Sequence, residues 1–274
     1  MPLDKNIQRK AAKKIPAFPS PELKEFLNRK VEEYERPFFI ESDPISIPHQ
    51  FSRLQDIEIA GFFAALFAWG NRQAILKKAR ELMQLMDMAP YEFVLRHSPE
   101  DLKKLVQFKH RTFNPTDILY FVSFLNFHYS TEPSLETAFT KWMMPGDENV
   151  EKALTGFYHY FFSLEDAPER TRKHIATPEK KSTCKRLNMY LRWMVRSAEK
   201  GVDFGIWKNI DPAQLICPID VHVARVAKHF QLLNRDQIDW KAALDLTAHL
   251  RTMNPADPAS YDFALFGLGV MEKY

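Results

Sequence analysis

Two side chains stand where they can do covalent chemistry together: Lys185, in KKSTCKRLNMYLRWMVR, and Asp220, in LICPIDVHVARV. Each opens a helical pattern. A lysine amine attacks carbon only when unprotonated, and it then forms imines with sugar or carbonyl carbons. The positive end of a helix macrodipole disfavours an ammonium ion, and neighbouring Arg186, Lys180 and Lys181 add like-charge repulsion. Asp220 precedes Val221, His222 and Val223, where an aspartate accepts backbone N–H bonds as an N-cap. Capping holds a carboxylate rigidly, so the cap and the chemistry are compatible. A pair of ordinary capped helices is the competing reading.

The elements that position these residues follow from periodicity. Over residues 182–199, Leu187, Tyr190, Leu191, Met194, Val195 and Ala198 share one helical face. Lys185, Asn188, Arg192 and Arg196 lie opposite, a cationic line able to follow a phosphate backbone, and Ser182 or Thr183 is the expected N-cap. Residues 165–181 read as a polar, basic loop. Its Arg170, Arg172, Lys173, Lys180 and Lys181 are candidate contacts to a DNA backbone, with Arg186 and Arg192 of the helix.

Residues 56–68 are almost wholly apolar after Glu58, which marks a helix buried on most sides. It stops at Trp69-Gly70-Asn71, where Gly70 suits a C-cap and Asn71 caps the next helix, about 72–86. That corner groups Trp69, Asn71, Arg72 and Gln73. They are the candidates for a base pocket or a wedge into a duplex. For Trp69, closing the core is the alternative role.

Bulk composition narrows the class. The chain has 274 residues, 45% of them hydrophobic, with 22 Phe and only eight Gly. That glycine content argues against a Gly-rich nucleotide-binding loop or a turn-rich β protein. No apolar run reaches membrane-spanning length, and the N-terminus lacks the apolar core of a signal peptide. Cys184 and Cys217 offer no disulfide framework, and no Cys or His spacing suggests a metal. A soluble, cytoplasmic protein without a cofactor is expected. The net charge of +3 is unevenly spread: residues 167–200 carry ten Lys/Arg against three Glu, and residues 1–16 carry five against one Asp. Two basic patches on an acidic body suggest a polyanion partner; solvated charged faces are the alternative.

Helix starts are announced by a capping residue before proline at Ser20-Pro21, Ser98-Pro99, Asn114-Pro115, Asp211-Pro212 and Asp257-Pro258. The segments that follow have helical periodicity, and no strand pair is convincing. The fold class is all-α with about ten helices. Residues 1–19 read as a basic flexible arm in which Lys13 and Lys14 could touch phosphate.

The run ICPIDVHVARV resembles the aspartate motif of the helix-hairpin-helix DNA glycosylase superfamily, and KRLNMYL resembles the segment that carries its imine-forming lysine. AGFFAALFAWGNRQAILKKA is similar to the buried helix and polar turn of endonuclease III-like enzymes, and DFALFGLGV to their closing helix. The likeness covers about residues 55–88 and 149–274. The archaeal 8-oxoguanine glycosylases are a further parallel. An uncharacterised bacterial family of similar length, with the same KRLNM and P-DVH blocks, is the closest likeness.

The resemblance implies a two-lobed helical fold. One lobe holds residues 55–88 and the middle helices to about 148; the other, residues 149–274, carries Lys185 and Asp220. It also implies damaged duplex DNA as partner and a monomer, with glycosylase and possibly lyase activity. Lys185 would be the nucleophile and Asp220 the charge-stabilising carboxylate; an oxidised purine is the substrate suggested by analogy. The pattern departs from the superfamily where TPEKKSTC replaces its Gly-x-Gly hairpin. The 35-residue step from Lys185 to Asp220 is also long. The chain ends where those enzymes begin a cysteine cluster, so no iron–sulfur centre is expected. A nucleic-acid-binding protein without enzyme activity and an all-α interaction domain are the alternatives.

Overall fold

The computed structural model describes residues 19–274, so the basic arm, with Lys13 and Lys14, lies outside the described residues. The described residues form twelve α-helices joined by short 3-10 turns, with a single bridge between His110 and Phe113 in place of any strand. The all-α expectation holds.

The capping signals act as written, with a limit. Ser20 accepts from the Leu23 N–H at 3.2 Å and starts α1 (Pro21–Tyr34). Ser98 and Asn114 close capping boxes with Asp101 and Asp117, opening α5 (Pro99–Leu105) and α6 (Pro115–Tyr129). Asp211-Pro212 and Asp257-Pro258 open only 3-10 turns. A cap followed by proline sets where a turn begins; the apolar pattern after it sets how far it runs.

At the centre lies α2 (Leu54–Phe67), buried from Ile57 to Phe67. It packs on α3 (Arg72–Leu85), α4 (Pro90–Arg96) and α9 (Lys185–Val195). Gly61 lets α9 approach: a Cβ there would stand 3.1 Å from the Met194 side chain and 3.3 Å from Tyr190. Phenylalanines fill the space between α2, α6, α7 (Glu136–Thr140) and α8 (Glu151–Phe161), with Phe139 stacked on Phe157 at 4.0 Å.

One polar residue sits in this core. Glu58 is fully buried and accepts from Tyr129 Oη (2.9 Å), Ser134 Oγ (2.5 Å), the Leu135 N–H (3.1 Å) and Trp207 Nε1 (2.6 Å). It thereby pins α2 to α6, to the start of α7 and to the loop after α9.

A second group of helices comprises α1, α10 (Val221–His229), α11 (Trp240–Met253) and α12 (Tyr261–Val270). Here α12 packs between α1 and α10. The grouping differs from the linear split at about residue 148. The segment of α8 and α9 joins α2–α7, and α1 crosses to the C-terminal helices. The reason is the apolar surface each offers: Phe157, Phe161 and Tyr190 face the α2 phenylalanines, and Gly267 of α12 seats the Tyr34 ring.

Replacing Glu58 by Leu strands four donors and is expected to lower the unfolding free energy by about 2–5 kcal/mol in urea titration. Glu58→Gln, which keeps two acceptor lone pairs and the shape, should lose clearly less. Equal losses would show that packing, not hydrogen bonding, sets the role of this residue.

Candidate active-site cleft

The lysine helix is shorter than its pattern. It starts at Lys185 itself, and neither Ser182 nor Thr183 caps it. Cys184 takes the N-cap position in a left-handed conformation (φ 51°) and makes no side-chain cap bond. Asn188 Nδ2 donates to the Thr183 carbonyl at 2.9 Å and ties down the turn. Lys181 is left-handed too (φ 58°), its N–H closing a 3-10 turn on the Pro178 carbonyl. The stretch with no glycine therefore makes two turns of the kind that glycine favours, using a lysine and a cysteine.

Asp220 caps α10 as expected. Its Oδ1 accepts from the N–H groups of His222 (2.8 Å) and Val223 (2.9 Å). Its Oδ2 lies 3.9 Å from Lys185 Nζ, and both side chains are partly exposed, 26% for the lysine and 19% for the aspartate. They open onto one cleft of about 700 Å³ between the two helix groups. A long ion contact at the mouth of a cleft leaves the amine reachable by a ligand.

The walls are aromatic and apolar. Trp69 stands at the rim, 36% exposed, with the Arg111 guanidinium 3.9 Å from its ring centre. Gly70 is left-handed (φ 98°) and packs on that guanidinium. Phe39, Phe266 and Met189 line the interior; Phe39 and Phe266 meet edge to face at 6.0 Å, and Arg72 lies 5.6 Å over the Phe266 ring. Of the four residues grouped at the corner, Trp69 and Arg72 line the cleft. Asn71 caps α3 through the Ala74 N–H (3.0 Å) and, like Gln73, is not part of the lining.

The expected cationic line along α9 does not exist as a surface. Asn188, Arg192 and Arg196 are all buried, at 1%, 3% and 5% exposure. Arg192 Nη1 donates to Asp262 Oδ2 at 2.5 Å and Nη2 lies 3.4 Å from Asp203 Oδ1. Arg196 meets Asp203 (2.5 Å), Asp257 (2.9 Å) and Glu35 (2.7 Å). Arg192 is thus the floor of the cleft and not a DNA-backbone contact.

Other backbone candidates are also engaged. Arg186 donates to the Leu66 carbonyl at 2.6 Å, closing the C-terminal end of α2. Arg170 binds Asp117, Asn114 and the Thr112 carbonyl around the start of α6. Arg172 pairs with Glu169 (2.7 Å), and Lys180 donates to Tyr158 Oη (2.7 Å). Lys173 and Lys181 are exposed and make no side-chain bond among the described residues. They remain open to a polyanion.

Sequence reasoning missed three ionisable lining residues, Asp43, His222 and Asp262. Asp262 left a signal, being the one charge in the apolar run YDFALFGLGV. Burial pushes its carboxyl up to about 6, against the pull of Arg192 and with a further push from Asp220. Burial also raises the Asp43 carboxyl, whose Oδ1 accepts from the Ile45 N–H at 3.0 Å. Among the described residues no group of three or more His, Cys, Asp or Glu is placed to hold a metal ion, and no helix is long and apolar enough to cross a membrane.

Fold and cleft together define an all-helical protein with a lysine–aspartate pair in an aromatic-walled cleft. Over residues 43–271 the chain matches the family described as "Protein of unknown function (DUF2400)", and it belongs to that family. The matched span contains Asp43, Lys185, Arg192, Asp220 and Asp262. No curated protein and no solved structure matches the chain.

The buried carboxyls give a stability test. A folded-state value raised to about 6 means that the native protein holds a proton on Asp262 that the unfolded chain has released. Its stabilising contribution is complete below the unfolded value of 3.8 and is lost as pH rises through about 6. Burial raises Asp257 and Glu35 in the same direction. The unfolding free energy should therefore fall across this window, and Asp262→Asn should flatten the fall. A slope unchanged in the variant would remove Asp262 as its source.

Proposed function

We propose that this chain is a DNA base-excision glycosylase with lyase activity. The observation that carries the reading is the approach of Lys185 Nζ to Asp220 Oδ2, 3.9 Å, at an aromatic-walled cleft of about 700 Å³. Such a cleft accommodates a nucleobase turned out of its stack, with π surfaces to hold it.

In this reading Lys185, as the neutral amine, attacks the sugar C1′ and the bond from C1′ to the base breaks. Asp220, held by two backbone N–H groups, stabilises positive charge on the sugar and takes the proton that the new C1′–N bond must shed. The sugar ring then opens: the C1′–O4′ bond breaks as the C=N bond forms and O4′ takes a proton, and the resulting imine permits β-elimination of the 3′ phosphate. Trp69, Phe39 and Phe266 flank the base. Lys173 and Lys181 meet the phosphates, so duplex binding weakens with salt. Both reacting groups come from one chain, so a monomer suffices. The cytoplasm is the proposed location, in keeping with two buried free cysteines, Cys184 and Cys217.

Borohydride reduction in the presence of duplex DNA containing an abasic or 8-oxoguanine site is expected to leave a covalent protein–DNA adduct. Lys185→Gln should abolish it. An adduct that survives this substitution would place the nucleophile elsewhere. Base release is to be assayed in parallel, because a glycosylase that uses water releases base without an adduct. Absence of both the adduct and base release would sink the reading, and salt-dependent duplex binding on its own would leave a nucleic-acid-binding protein without enzyme activity.

A further inference from the structure

The cleft holds two carboxyl groups besides that of Asp220, those of Asp43 and Asp262, and the network beneath Asp262 is rich in acid. Arg192 and Arg196 are the two cations of a buried cluster that contains four carboxyl groups, those of Glu35, Asp203, Asp257 and Asp262. Isolated buried negative charge is costly, and such clusters relieve the excess by keeping protons. Asp262 is the member of the four that also lines the cleft. Its Oδ2 is held by Arg192, while its Oδ1 has no hydrogen-bond partner among the described residues, although the side chain is only 8% exposed.

We propose that Asp262 is the general acid of this site and delivers a proton to the departing base. The proposal rests on the glycosylase reading. Two carboxyl groups then divide the work by environment. Asp220 is held in its acceptor role by two backbone N–H groups at 2.8 and 2.9 Å. Asp262 is buried on α12, and burial lifts its carboxyl to about 6. Two carboxyls in environments this different can divide the donor and acceptor roles of one site.

The step balances. The Lys185 Nζ–C1′ bond forms as the bond from C1′ to the base nitrogen breaks. The electron pair of the broken bond stays on the base. The proton moves from Asp262 to the base, leaving a carboxylate paired with Arg192, and water restores the proton. Around Asp262 stand Arg192 and Lys185 of α9, Asp220 and His222 at the head of α10, and Asp43 from the segment before α2. Through Arg192 it is joined to Asp203. On the α1 side, α12 meets the Tyr34 ring at Gly267.

An abasic site has no base to expel, so the acid role predicts a split between two assays on the same protein. The probes are a duplex carrying 8-oxoguanine, for base release, and a duplex carrying a preformed abasic site, for borohydride trapping. In single turnover, Asp262→Asn should slow release about 100-fold more than it slows trapping. In the unmodified protein, release should fall as pH rises through about 6, a limb that trapping lacks. This second measurement needs no variant and stands if Asp262→Asn fails to fold. Equal slowing of release and trapping, or release without the falling limb, overturns the acid role. Absence of both trapping and base release by the unmodified protein overturns the glycosylase reading beneath it.

Discussion

A guanidinium inside a helix bundle has to be met by carboxylates, and Arg192 is where this constraint falls. It lies in the last turn of α9, at 3% exposure, between the two helix groups. Asp262 reaches it from α12 and Asp203 from the loop after α9. Leaving such a charge without its partners costs about 3–5 kcal/mol, far more than the intact pair contributes. The pair is therefore better understood as a device of register than of stability. It allows α12 to meet α9 in one position, and that position brings Asp262 into the cleft.

The lysine and the aspartate depend on the same registration. Lys185 projects from the first turn of α9, and Asp220 stands at the head of α10, which packs on α12. A rotation of α9 that exposed Arg192 and Arg196 to solvent would carry Lys185 away from Asp220 as well. The buried arginines and the cleft pair are thus two consequences of one helix orientation.

The local grammar of this chain is legible in its residues. The caps at Ser20, Ser98, Asn114 and Asp220, the wholly buried α2 and the turn at Gly70 follow from short-range rules. The lysine–aspartate pair was legible as two helix heads, and its 3.9 Å closure is a tertiary result. The polar face of α9 was misread because a helical wheel contains only one helix. The acids that bury Arg192 and Arg196 come from 70 and 61 residues away, from Asp262 and Asp257. Likewise Arg186 and Arg170 looked free because the carbonyls and carboxylates they bind lie 120 and 53 residues distant. The segment TPEKKSTC is a different case. It contains no glycine, yet Lys181 and Cys184 adopt left-handed backbone themselves, at a cost of about 1–2 kcal/mol per residue that neighbouring contacts must offset.

Charge placement in the cleft bears on what enters it. The interior presents Asp43, Asp220 and Asp262, two of them nearly buried, beside Arg72, Lys185, Arg186 and Arg192, whereas Lys173 and Lys181 lie on the basic segment outside. A phosphate driven to the floor would meet carboxyl groups whose own burial already disfavours negative charge, and Arg192 there is already paired with Asp262 and Asp203. A neutral planar ring meets no such penalty: aromatic walls take its faces, and the carboxyl oxygens take its N–H edge or give it a proton. For a nucleic-acid ligand the electrostatics therefore sort the parts of a nucleotide by charge, with the phosphate outside and the base within. An extruded base, as the proposed function requires, would enter in that orientation.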